Sequence, residues 1–498
     1  MNGTKEGEPS SEELHHGDAS AAISALGRLL GPSLSIDHFW NDVWEKAPHL
    51  CRCDSSNRGA VAASLLTWND LLGVLQKAQG PHRSADVSLL VMDDGCPTTA
   101  YDSCHAAYLD GCSIIVNHLD KIYEPVHAFC QELRQHLPHV FVNMYLTPPE
   151  SQAVAPHADD RDVIVLQVAG CKRWKVYPDP PVPLPYPSEQ AGKSSAHPVP
   201  QRVLDAQPLV DCALREGDAL YMPRGFVHEA CTGEAAASLH LTFALATHDW
   251  SWSSVASAAL LAAGKLSGAC AEYRARLESL QHAPRGSWWW RRSVPPALIC
   301  GGGSDLARKA AQDLAALAAS DVSAEAGAHV SLEDLTAMFA AKVAHHNARQ
   351  DLVSPLAGTS SLSPGCYVRR FTDDEKTLMK GRPQQQQGLV VREQIAQVLL
   401  RTLSSITTKP VRVSDFEDGH LICIFSKVCF AAVCINAGLL CTCTESGERI
   451  DVDWQTPAQK SSDDITAGEA SAGKSRVRKR KRKHQALKKD REVGMAQI

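Results

Sequence analysis

Three residues of this chain have the types and the spacing of a metal site. His157 and Asp159 form an H-x-D triplet, and His228 follows 69 residues after the aspartate in the segment GDALYMPRGFVHEA. Two imidazoles and one carboxylate on one face of a metal ion are the ligand set of the non-haem Fe(II) oxygenases, which leaves three coordination positions open. The pattern therefore predicts an iron centre that uses O2.

A β-strand is the element that would position the H-x-D triplet. Residues two apart on a strand point to the same face, so His157 and Asp159 can face one interior while the residue between them turns away. The apolar run DVIVLQVAG begins at Asp162, ends at Gly170 and restarts as CKRWKVY. This run predicts two further strands joined by a tight turn.

The second of these strands carries a lysine among apolar neighbours. Lys172, Trp174 and Val176 share one face, and we expect that face to be inward. A buried ammonium is tolerated only with an anionic partner. The dicarboxylate 2-oxoglutarate would supply it, with its keto-acid end on the iron and its far carboxylate on Lys172.

Several independent segments resemble one known family. FVNMYLTPPESQAVAPHADDRDVIVLQVAGCKRWKVY, from Phe141 to Tyr177, is similar to the core of the JmjC-type ribosomal oxygenases. REGDALYMPRGFVHEA followed by SLHLTF fits the later strands of that family, and the earlier segments DHFWNDVWEKAPHLCR and DGCSIIVNHLDKIYEPV match its pattern as well. The resemblance runs from about Asp37 to Trp252.

The resemblance implies a fold, cofactors and an activity. The fold would be a double-stranded β-helix, and the cofactors would be Fe(II) and the cosubstrates 2-oxoglutarate and O2. The activity would be hydroxylation of a histidine side chain in a ribosomal protein, and lysine demethylation of histone tails has also been attributed to the family. Carried over by position, His157, Asp159 and His228 would hold the iron, and Lys172 would bind the cosubstrate carboxylate.

Further residues are assigned to the site by the same resemblance. Asn143 and Tyr145, which share a strand face with Thr147, resemble residues that line the family's site and would contact cosubstrate or substrate. Ser238 and His240 alternate with leucines, so we expect them to face the cavity. Ser238 is accordingly grouped with the cofactor-binding residues.

One ligand assignment has a rival, and two positions depart from the family pattern. His240 competes with His228 as third ligand, and His228 is preferred because it follows a turn at the start of a strand. Ala158 stands where the family carries an aromatic residue, and Glu229 stands where it carries a glutamine. Both departures would reshape the substrate channel and leave the iron in place.

Two motifs of other enzyme classes are absent from the sequence. The chain contains no G-x-S-x-G nucleophile elbow and no G-x-G-x-x-G, and we expect no catalytic residues beyond the metal ligands. Two readings compete with histidine hydroxylation. One is lysine demethylation, and the other is a non-catalytic chromatin or ribosome-assembly adaptor that keeps the fold.

The composition, with 498 residues and 44% hydrophobic content, predicts a chain of two or three domains. The resemblance implies a mixed α+β class, in which a cupin/JmjC core would be followed by a helical dimerisation domain, which makes a homodimer the expected assembly, and by a winged-helix-like domain. In the last domain, Val391 to Ile406 has helical spacing, and Leu421 to Cys434 predicts a strand pair. The boundaries are a disordered acidic N-terminus at 1–20, the catalytic domain at 21–252, the helical domain at 253–353, the winged-helix-like domain at 365–455 and a disordered basic tail at 456–498.

Charge is concentrated at one end of the chain. The segment from Lys474 to Arg491 contains 11 Lys and Arg and one Asp, whereas the whole chain carries a net charge of −6. Such runs are typical of nuclear or nucleolar targeting signals or of contacts with RNA phosphates. The 17 scattered cysteines, without a secretory signal or a membrane segment, indicate reduced thiols. We therefore expect a nuclear, and more specifically nucleolar, protein that acts on ribosomal proteins or histone tails.

Overall fold

Ten strands form one antiparallel sheet system in the computed structural model, which describes residues 24–53, 56–80, 82, 84–137, 139–234, 236–245, 247–251, 254, 291–294, 351–353, 356, 362–379, 390–417, 421, 423–450 and 495–497. The main order is β1-β8-β6-β10-β5-β4-β2-β3, and β7 and β9 also pair with β6. The strands are β1 (His49–Cys51), β2 (Ser88–Asp93), β3 (Cys96–Pro97), β4 (Ser113–Asn117), β5 (Val140–Thr147), β6 (Asp162–Val176), β7 (Val210–Arg215), β8 (Ala219–Met222), β9 (His228–Cys231) and β10 (Ser238–Leu245).

Strand β6 joins the two halves of this system. Its first half pairs with β8 and β10, and its second half pairs with β7 and β9. The predicted division into two strands with a tight turn is wrong, because the chain continues as one strand through Gly170. That glycine has φ +69°, and a Cβ atom there would lie 1.9 Å from the carbonyl oxygen of Ala237. Gly170 therefore lets the strand change partners without reversing.

The H-x-D triplet lies outside the regular strands, which corrects the predicted strand. His157 forms an isolated antiparallel bridge with His228, and the chain from Ala158 to Arg161 is irregular before β6 begins at Asp162. The bridge is closed by two backbone hydrogen bonds, His157 N to His228 O at 3.1 Å and His228 N to His157 O at 2.9 Å. Within the triplet, His157 is the residue that pairs with another segment in the manner of a strand.

Helices before and between the strands cover the outer face of the sheet. Their leucines join β4, β5 and β10 in the largest apolar core, in which Leu26, Leu29 and Leu133 are fully buried. The first helix begins at a serine cap, because Ser24 Oγ accepts a hydrogen bond from Gly27 N. The helices of this region are α1 (Ala25–Leu30), α2 (Ile36–His38), α3 (Ser56–Leu65), α4 (Leu71–Ala78), α5 (Cys104–Leu109), α6 (Glu124–Leu133) and α7 (Gln201–Leu204), with a π-helical turn at Phe39–Val43 and 3-10 turns at Leu119–Lys121, Pro187–Glu189 and His248–Trp250.

A second unit follows, and its described residues form a small sheet and three helices. Its three-stranded sheet has the order β13-β11-β14, and a separate ribbon pairs β12 with β15. The elements are β11 (Tyr367–Arg369), α8 (Asp373–Met379), β12 (Val390–Arg392), α9 (Glu393–Ser405), β13 (Val411–Arg412), a 3-10 turn at Val413–Asp415, α10 (Ile424–Asn436), β14 (Cys441–Cys443) and β15 (Met495–Gln497). The helix predicted from Val391 to Ile406 is confirmed as α9.

The predicted strand pair from Leu421 to Cys434 is wrong, because this segment forms helix α10. The helix is buried on most of its faces, so apolar residues are spread around it and the sequence lacks the 3.6-residue period that marks a helix with one solvent face. Its start is fixed by Cys423, whose Sγ accepts from Ser426 N at 3.3 Å. Helix α10 packs on α5 through Phe425, which meets Tyr108 edge to face with ring centroids 5.2 Å apart.

Some predictions fall outside the described residues. The acidic N-terminus at 1–20 lies there, as do most of the helical domain at 253–353 and the basic run from Lys474 to Arg491. Of the tail at 456–498, the described Met495–Gln497 forms a strand with Val390–Arg392. Within the described part of the chain, no helix has the length and apolar character needed to cross a membrane.

Candidate metal centre and its cavity

The three predicted ligands converge on one point. The Nε2 atom of His157 lies 3.5 Å from Asp159 Oδ1, and the Nε2 atom of His228 lies 3.6 Å from Asp159 Oδ2. One potential ligand atom from each residue lies within 4.8 Å of the others, and no other group of this kind occurs in the described residues. His228 is the first residue of β9, as the sequence predicted.

Backbone carbonyls fix the orientation of both imidazoles. His157 Nδ1 is 2.7 Å from the carbonyl oxygen of Ala155, and His228 Nδ1 is 3.0 Å from that of Phe226. A carbonyl can only accept, so each Nδ1 carries a proton, which leaves each Nε2, on the side of Asp159, as the atom that could bind a metal. This second contact of a metal-binding histidine sets its tautomer and its ring angle.

The charge states of these residues suit a divalent cation. Burial opposes ionisation of Asp159, but the Lys193 ammonium and the two imidazoles hold the pKa of Asp159 well below its usual range. Burial, with a contribution from His157, lowers the pKa of His228 to about 4. At neutral pH the site therefore offers a carboxylate and an unprotonated His228, which are the forms that bind a metal.

Lys172 lies inside the same cavity without a carboxylate partner. The residue is 2% exposed, and its Nζ donates to the hydroxyl of Thr147 at 2.9 Å. No carboxylate of the described residues forms an ion pair with it, and burial lowers the pKa of Lys172 to about 7. The predicted inward face is confirmed by the burial of Lys172, Trp174 and Val176. An amine buried in this way suits an anionic group that the described part of the chain does not provide.

Tyr145 and His240 form one wall of the cavity, and Asn143 lies beyond it. The rings of Tyr145 and His240 are stacked, with centroids 4.8 Å apart and an interplanar angle of 4°. His240 is not part of the group of His157, Asp159 and His228 whose potential ligand atoms lie close together. The side-chain oxygen of Asn143 accepts a hydrogen bond from His118 N at 3.1 Å, so this oxygen stabilises the chain at His118.

Ser238 is not in the cavity, contrary to its predicted role. Its side chain is fully buried, and its Oγ accepts a hydrogen bond from Gln167 Nε2 at 2.9 Å. The register of β10 against β6 shifts between Leu239 and His240, where β6 has one residue more, whereas β10 stays in regular register with β5. The alternation along β10 is therefore kept, and the Ser238 hydroxyl bonds to Gln167 within the sheet.

Two neighbouring spaces border the cluster. The inner cavity is lined by the three ligands together with Lys172 and the apolar side chains of Val163, Val165, Trp174 and Met222. The outer cleft shares Tyr145 and Asp159 with the inner cavity and is lined further by Asn143, Arg161 and Lys193. A group that reached the ligand cluster from the outer cleft would pass Tyr145 and Lys193.

Lys193 was not found by the sequence analysis. Its Nζ lies 3.0 Å from Asp159 Oδ1, and its side chain is 38% exposed toward the outer cleft. No motif singles it out, because it follows the ligand by 34 residues in a loop without periodic pattern. What brings it to the site is the neighbouring Gly192, which has φ +80° and packs against His157.

The two departures from the family pattern have different surroundings. Glu229 lines the inner cavity, and its Oε1 accepts from Tyr177 at 2.7 Å and from Lys175 at 3.0 Å. Ala158 is 1% exposed in an apolar cluster with Tyr177 and does not line the inner cavity. The predicted effect on the cavity wall is therefore supported for Glu229 and not for Ala158.

Residues 117–252 match the JmjC domain family. This stretch contains the three ligands and Lys172, and it confirms the resemblance noted in the sequence. With its antiparallel strands, this part of the chain has a JmjC/cupin-like fold of mixed α and β content.

Curated relatives are similar over the same region. The bifunctional lysine-specific demethylase and histidyl-hydroxylase NO66 of Drosophila grimshawi is 32% identical over 232 residues, which cover 45% of this chain and 30% of the relative. The corresponding NO66 of Drosophila erecta is 38% identical over 226 residues, which cover 44% of this chain and 33% of the relative. The chain thus spans about a third of the length of these relatives.

Among solved structures, the chain is similar to YcfD, a ribosomal oxygenase from Escherichia coli, in complex with cobalt and 2-oxoglutarate. The identity is 16%, the TM-score is 0.33, and the alignment covers 82% of this chain and 98% of that chain.

Proposed function

We propose that this chain is an Fe(II)- and 2-oxoglutarate-dependent oxygenase that hydroxylates a protein side chain, with a histidine of a ribosomal protein as the substrate. The observation that carries the proposal is the presence of two complementary features in one cavity. The cluster of His157, Asp159 and His228 is set to bind a divalent cation, and the buried amine of Lys172 is set to bind an anion. The match to the JmjC domain supports it.

Iron, 2-oxoglutarate and O2 supply, when bound, the oxidising power that no side chain of the chain possesses. His157, Asp159 and His228 hold the metal, and the bonds from their Nδ1 atoms to Ala155 and Phe226 keep the two imidazoles aimed. Lys172 and the Thr147 hydroxyl bind the far carboxylate of the cosubstrate. The apolar wall of the inner cavity excludes water from the reacting groups, and it includes Val163, Val165, Trp174 and Met222.

The substrate side chain enters from the outer cleft. Tyr145 and Asp159 line both spaces, so a side chain in the cleft reaches the metal by passing between Tyr145 and Lys193. The name of the curated relatives includes both histidyl-hydroxylase and lysine-specific demethylase. Histone lysine demethylation is therefore the second candidate, and it differs in the side chain that the cleft admits.

A non-catalytic adaptor for chromatin or ribosome assembly is the alternative from another class. An adaptor does not require two imidazoles held in a fixed orientation or a buried amine. Burial of such polar groups lowers the stability of the fold. The nuclear or nucleolar location, the RNA contact through Lys474 to Arg491 and the homodimer remain part of the proposal. The support for the first two is the basic run in the sequence, and the support for the homodimer is the family resemblance.

The proposal is tested by incubating the protein with Fe(II), 2-oxoglutarate and panels of ribosomal-protein and methylated histone peptides. Asp159→Ala removes one metal ligand, and Asp211→Ala, which changes a surface partner of Arg173, is the matched control. We expect succinate formation and the gain of one oxygen on a histidine peptide with the parent protein and the control. With Asp159→Ala we expect both signals to fall below detection, because the metal loses its only carboxylate ligand among these three.

The mass of each peptide distinguishes the candidates. Loss of a methyl group from a histone peptide would assign demethylation in place of hydroxylation. Full turnover by Asp159→Ala would contradict the metal site. An absence of turnover with every peptide and of uncoupled succinate formation would favour the adaptor.

A further inference from the structure

We infer that Arg291, which lies outside the catalytic domain predicted at 21–252, is a positioning residue of the metal site. It holds the loop Tyr186–Lys193 against the H-x-D triplet, so that the chain downstream of the domain contributes to the geometry of the ligands. The inference rests on the proposed metal-binding role of His157 and Asp159. It assigns a role to a segment that carries no ligand itself.

The loop touches the triplet at three consecutive positions. The carbonyl oxygen of Ala191 accepts from Ala158 N at 2.9 Å. At Gly192, a Cβ atom would lie 2.9 Å from the Cα of His157, so the backbone of the loop packs directly on that ligand. Lys193 forms its ion pair with Asp159 at 3.0 Å. A displacement of this loop would therefore change the surroundings of two of the three ligands.

Arg291 binds the other end of the loop. Its guanidinium donates to both carboxylate oxygens of Glu189, at 2.7 Å and 3.0 Å, and lies over the Tyr186 ring at 5.1 Å from the centroid. Glu189 also accepts from Tyr186 N at 3.0 Å, which closes the turn on itself. The Arg291 side chain is 4% exposed, and a paired guanidinium fork of this kind fixes both partners in position.

The segment that carries Arg291 is itself anchored in the domain. Ser293 N donates to the two carboxylate oxygens of Glu45 at 3.1 Å and 3.0 Å, and Trp44 Nε1 donates to Ser293 Oγ at 3.0 Å. Val294 N donates to the carbonyl oxygen of Trp250 at 2.9 Å. Because the anchor consists of buried groups on both sides, Arg291 has little freedom to leave Glu189.

A second connection leads from the same segment to Asp159. Arg224 donates to the carbonyl oxygen of Arg291 and forms an ion pair with Glu45 at 3.3 Å. The next residue, Gly225, donates its N–H to the carbonyl oxygen of Asp159 at 2.9 Å. The segment that carries Arg291 is thus connected to the H-x-D triplet by two routes. One route runs through the loop, and the other runs through Arg224 and Gly225.

The test compares Arg291→Met with Arg292→Met in the full chain. Both changes remove one guanidinium, but Arg292 is exposed whereas Arg291 is buried on Glu189. Two readouts are used, amide hydrogen exchange at Ala158 and Gly192 and the dissociation constant for Co(II). We expect Arg291→Met to speed the exchange of both amides about tenfold or more and to weaken Co(II) binding about tenfold, as removal of a supporting contact does at metal sites. Arg292→Met should change neither.

Two further variants separate positioning from general loss of stability. Glu189→Gln should reproduce part of the effect, and its combination with Arg291→Met should add little, because both changes break one interaction. Phe425→Ala, a stability control far from the loop, should lower the melting temperature without changing Co(II) affinity.

Equal exchange at Ala158 and Gly192 in Arg291→Met and Arg292→Met would overturn the inference. So would a loss of Co(II) affinity in Phe425→Ala that matched the loss in Arg291→Met. If the parent protein bound no Co(II), the proposed function would fail, and the exchange measurements would still decide whether Arg291 holds the loop.

Discussion

Lys172 is a buried amine whose nearest hydrogen-bond partner is a neutral hydroxyl. Its Nζ donates to Thr147 Oγ1, and burial lowers its pKa to about 7 from the ordinary value of 10.5. A cation that is desolvated without an anionic partner destabilises the fold. The same feature prepares the cavity for a carboxylate. Lys172 therefore lowers the stability of the ligand-free protein and raises its affinity for an anionic ligand.

Replacement of Lys172 by methionine separates these two effects. Lys172→Met should raise the free energy of unfolding of the ligand-free protein by about 1–3 kcal/mol, since a similar volume is kept and the buried amine is removed. It should also weaken 2-oxoglutarate binding by about 30-fold or more, because the loss of one member of a buried charge pair costs about 2–5 kcal/mol. Thermal unfolding and calorimetric titration of the Co(II)-loaded protein measure the two quantities, and Lys376→Met, at a side chain that is 58% exposed, is the surface control.

The gain in stability should depend on pH in a defined direction. An unfolded lysine is protonated up to about 10.5, and Lys172 loses its proton near 7 in the fold, so its cost is complete below pH 7 and is lost as the pH rises toward 10.5. The advantage of Lys172→Met should therefore be largest at or below pH 7 and shrink toward pH 10. An advantage that grew with pH, or no loss of 2-oxoglutarate affinity, would contradict this account of the residue.

At the scale of elements, residues restricted by ligand chemistry or by strand alternation could be predicted from the sequence, whereas loop residues without such a restriction could not. His157, Asp159 and His228 were predictable because ligand chemistry restricts both their types and their spacing. Lys172 was predictable because alternation along a strand is strict. Ser238 was misplaced because its hydroxyl bonds to Gln167 of the neighbouring strand, a contact that alternation along β10 does not reveal. Lys193 was missed because a loop carries no period.

The loop depends on one glycine for its contact with the metal site. Gly192→Ala would place a methyl group 2.4 Å from the carbonyl oxygen of Pro156 at a φ of +80°, so the loop must move away from His157. We expect a loss of about 1–3 kcal/mol in unfolding free energy and about tenfold weaker Co(II) binding. Chemical denaturation and metal titration measure these losses.

Gly59→Ala is the matched control for this change. It adds the same methyl group inside helix α3, where nothing lies within 4 Å of the new atom. The unfolding free energy should stay unchanged or rise by about 0.5–1 kcal/mol, because alanine favours a helix interior. If Gly192→Ala behaved like Gly59→Ala, the close packing of the loop on His157 would be refuted.

At the scale of the whole molecule, the sequence did not show how the second unit joins the JmjC-like part of the chain. The JmjC-like part was predictable from several motifs of one family, and helix α9 from its amphipathic pattern. The join was not predictable, because α10 is apolar on most faces and was taken for strands. Burial on most faces is also the reason why α10 can pack against both α5 and the remainder of its own unit.

Phe425 is the side chain at which the two units share a core. It is fully buried, it meets Tyr108 edge to face, and it stacks on Trp68 with ring centroids 5.8 Å apart. Phe425→Ala should cost about 3–5 kcal/mol of unfolding free energy, because the cavity is bordered by both units and cannot collapse onto either one. Its neighbour Ile424, which is 39% exposed, is the control, and Ile424→Ala should stay within about 0.5 kcal/mol of the parent.

Hydrogen exchange shows whether the lost contact lies between the units. The amide of Asp110, which donates to Ala106 O at 3.0 Å at the end of α5, should exchange faster in Phe425→Ala together with the amides of α10. Faster exchange in both helices is expected because each loses the same packing partner. Faster exchange confined to α10, with Asp110 unchanged, would mean that the second unit is stable by itself and that the catalytic region does not depend on it.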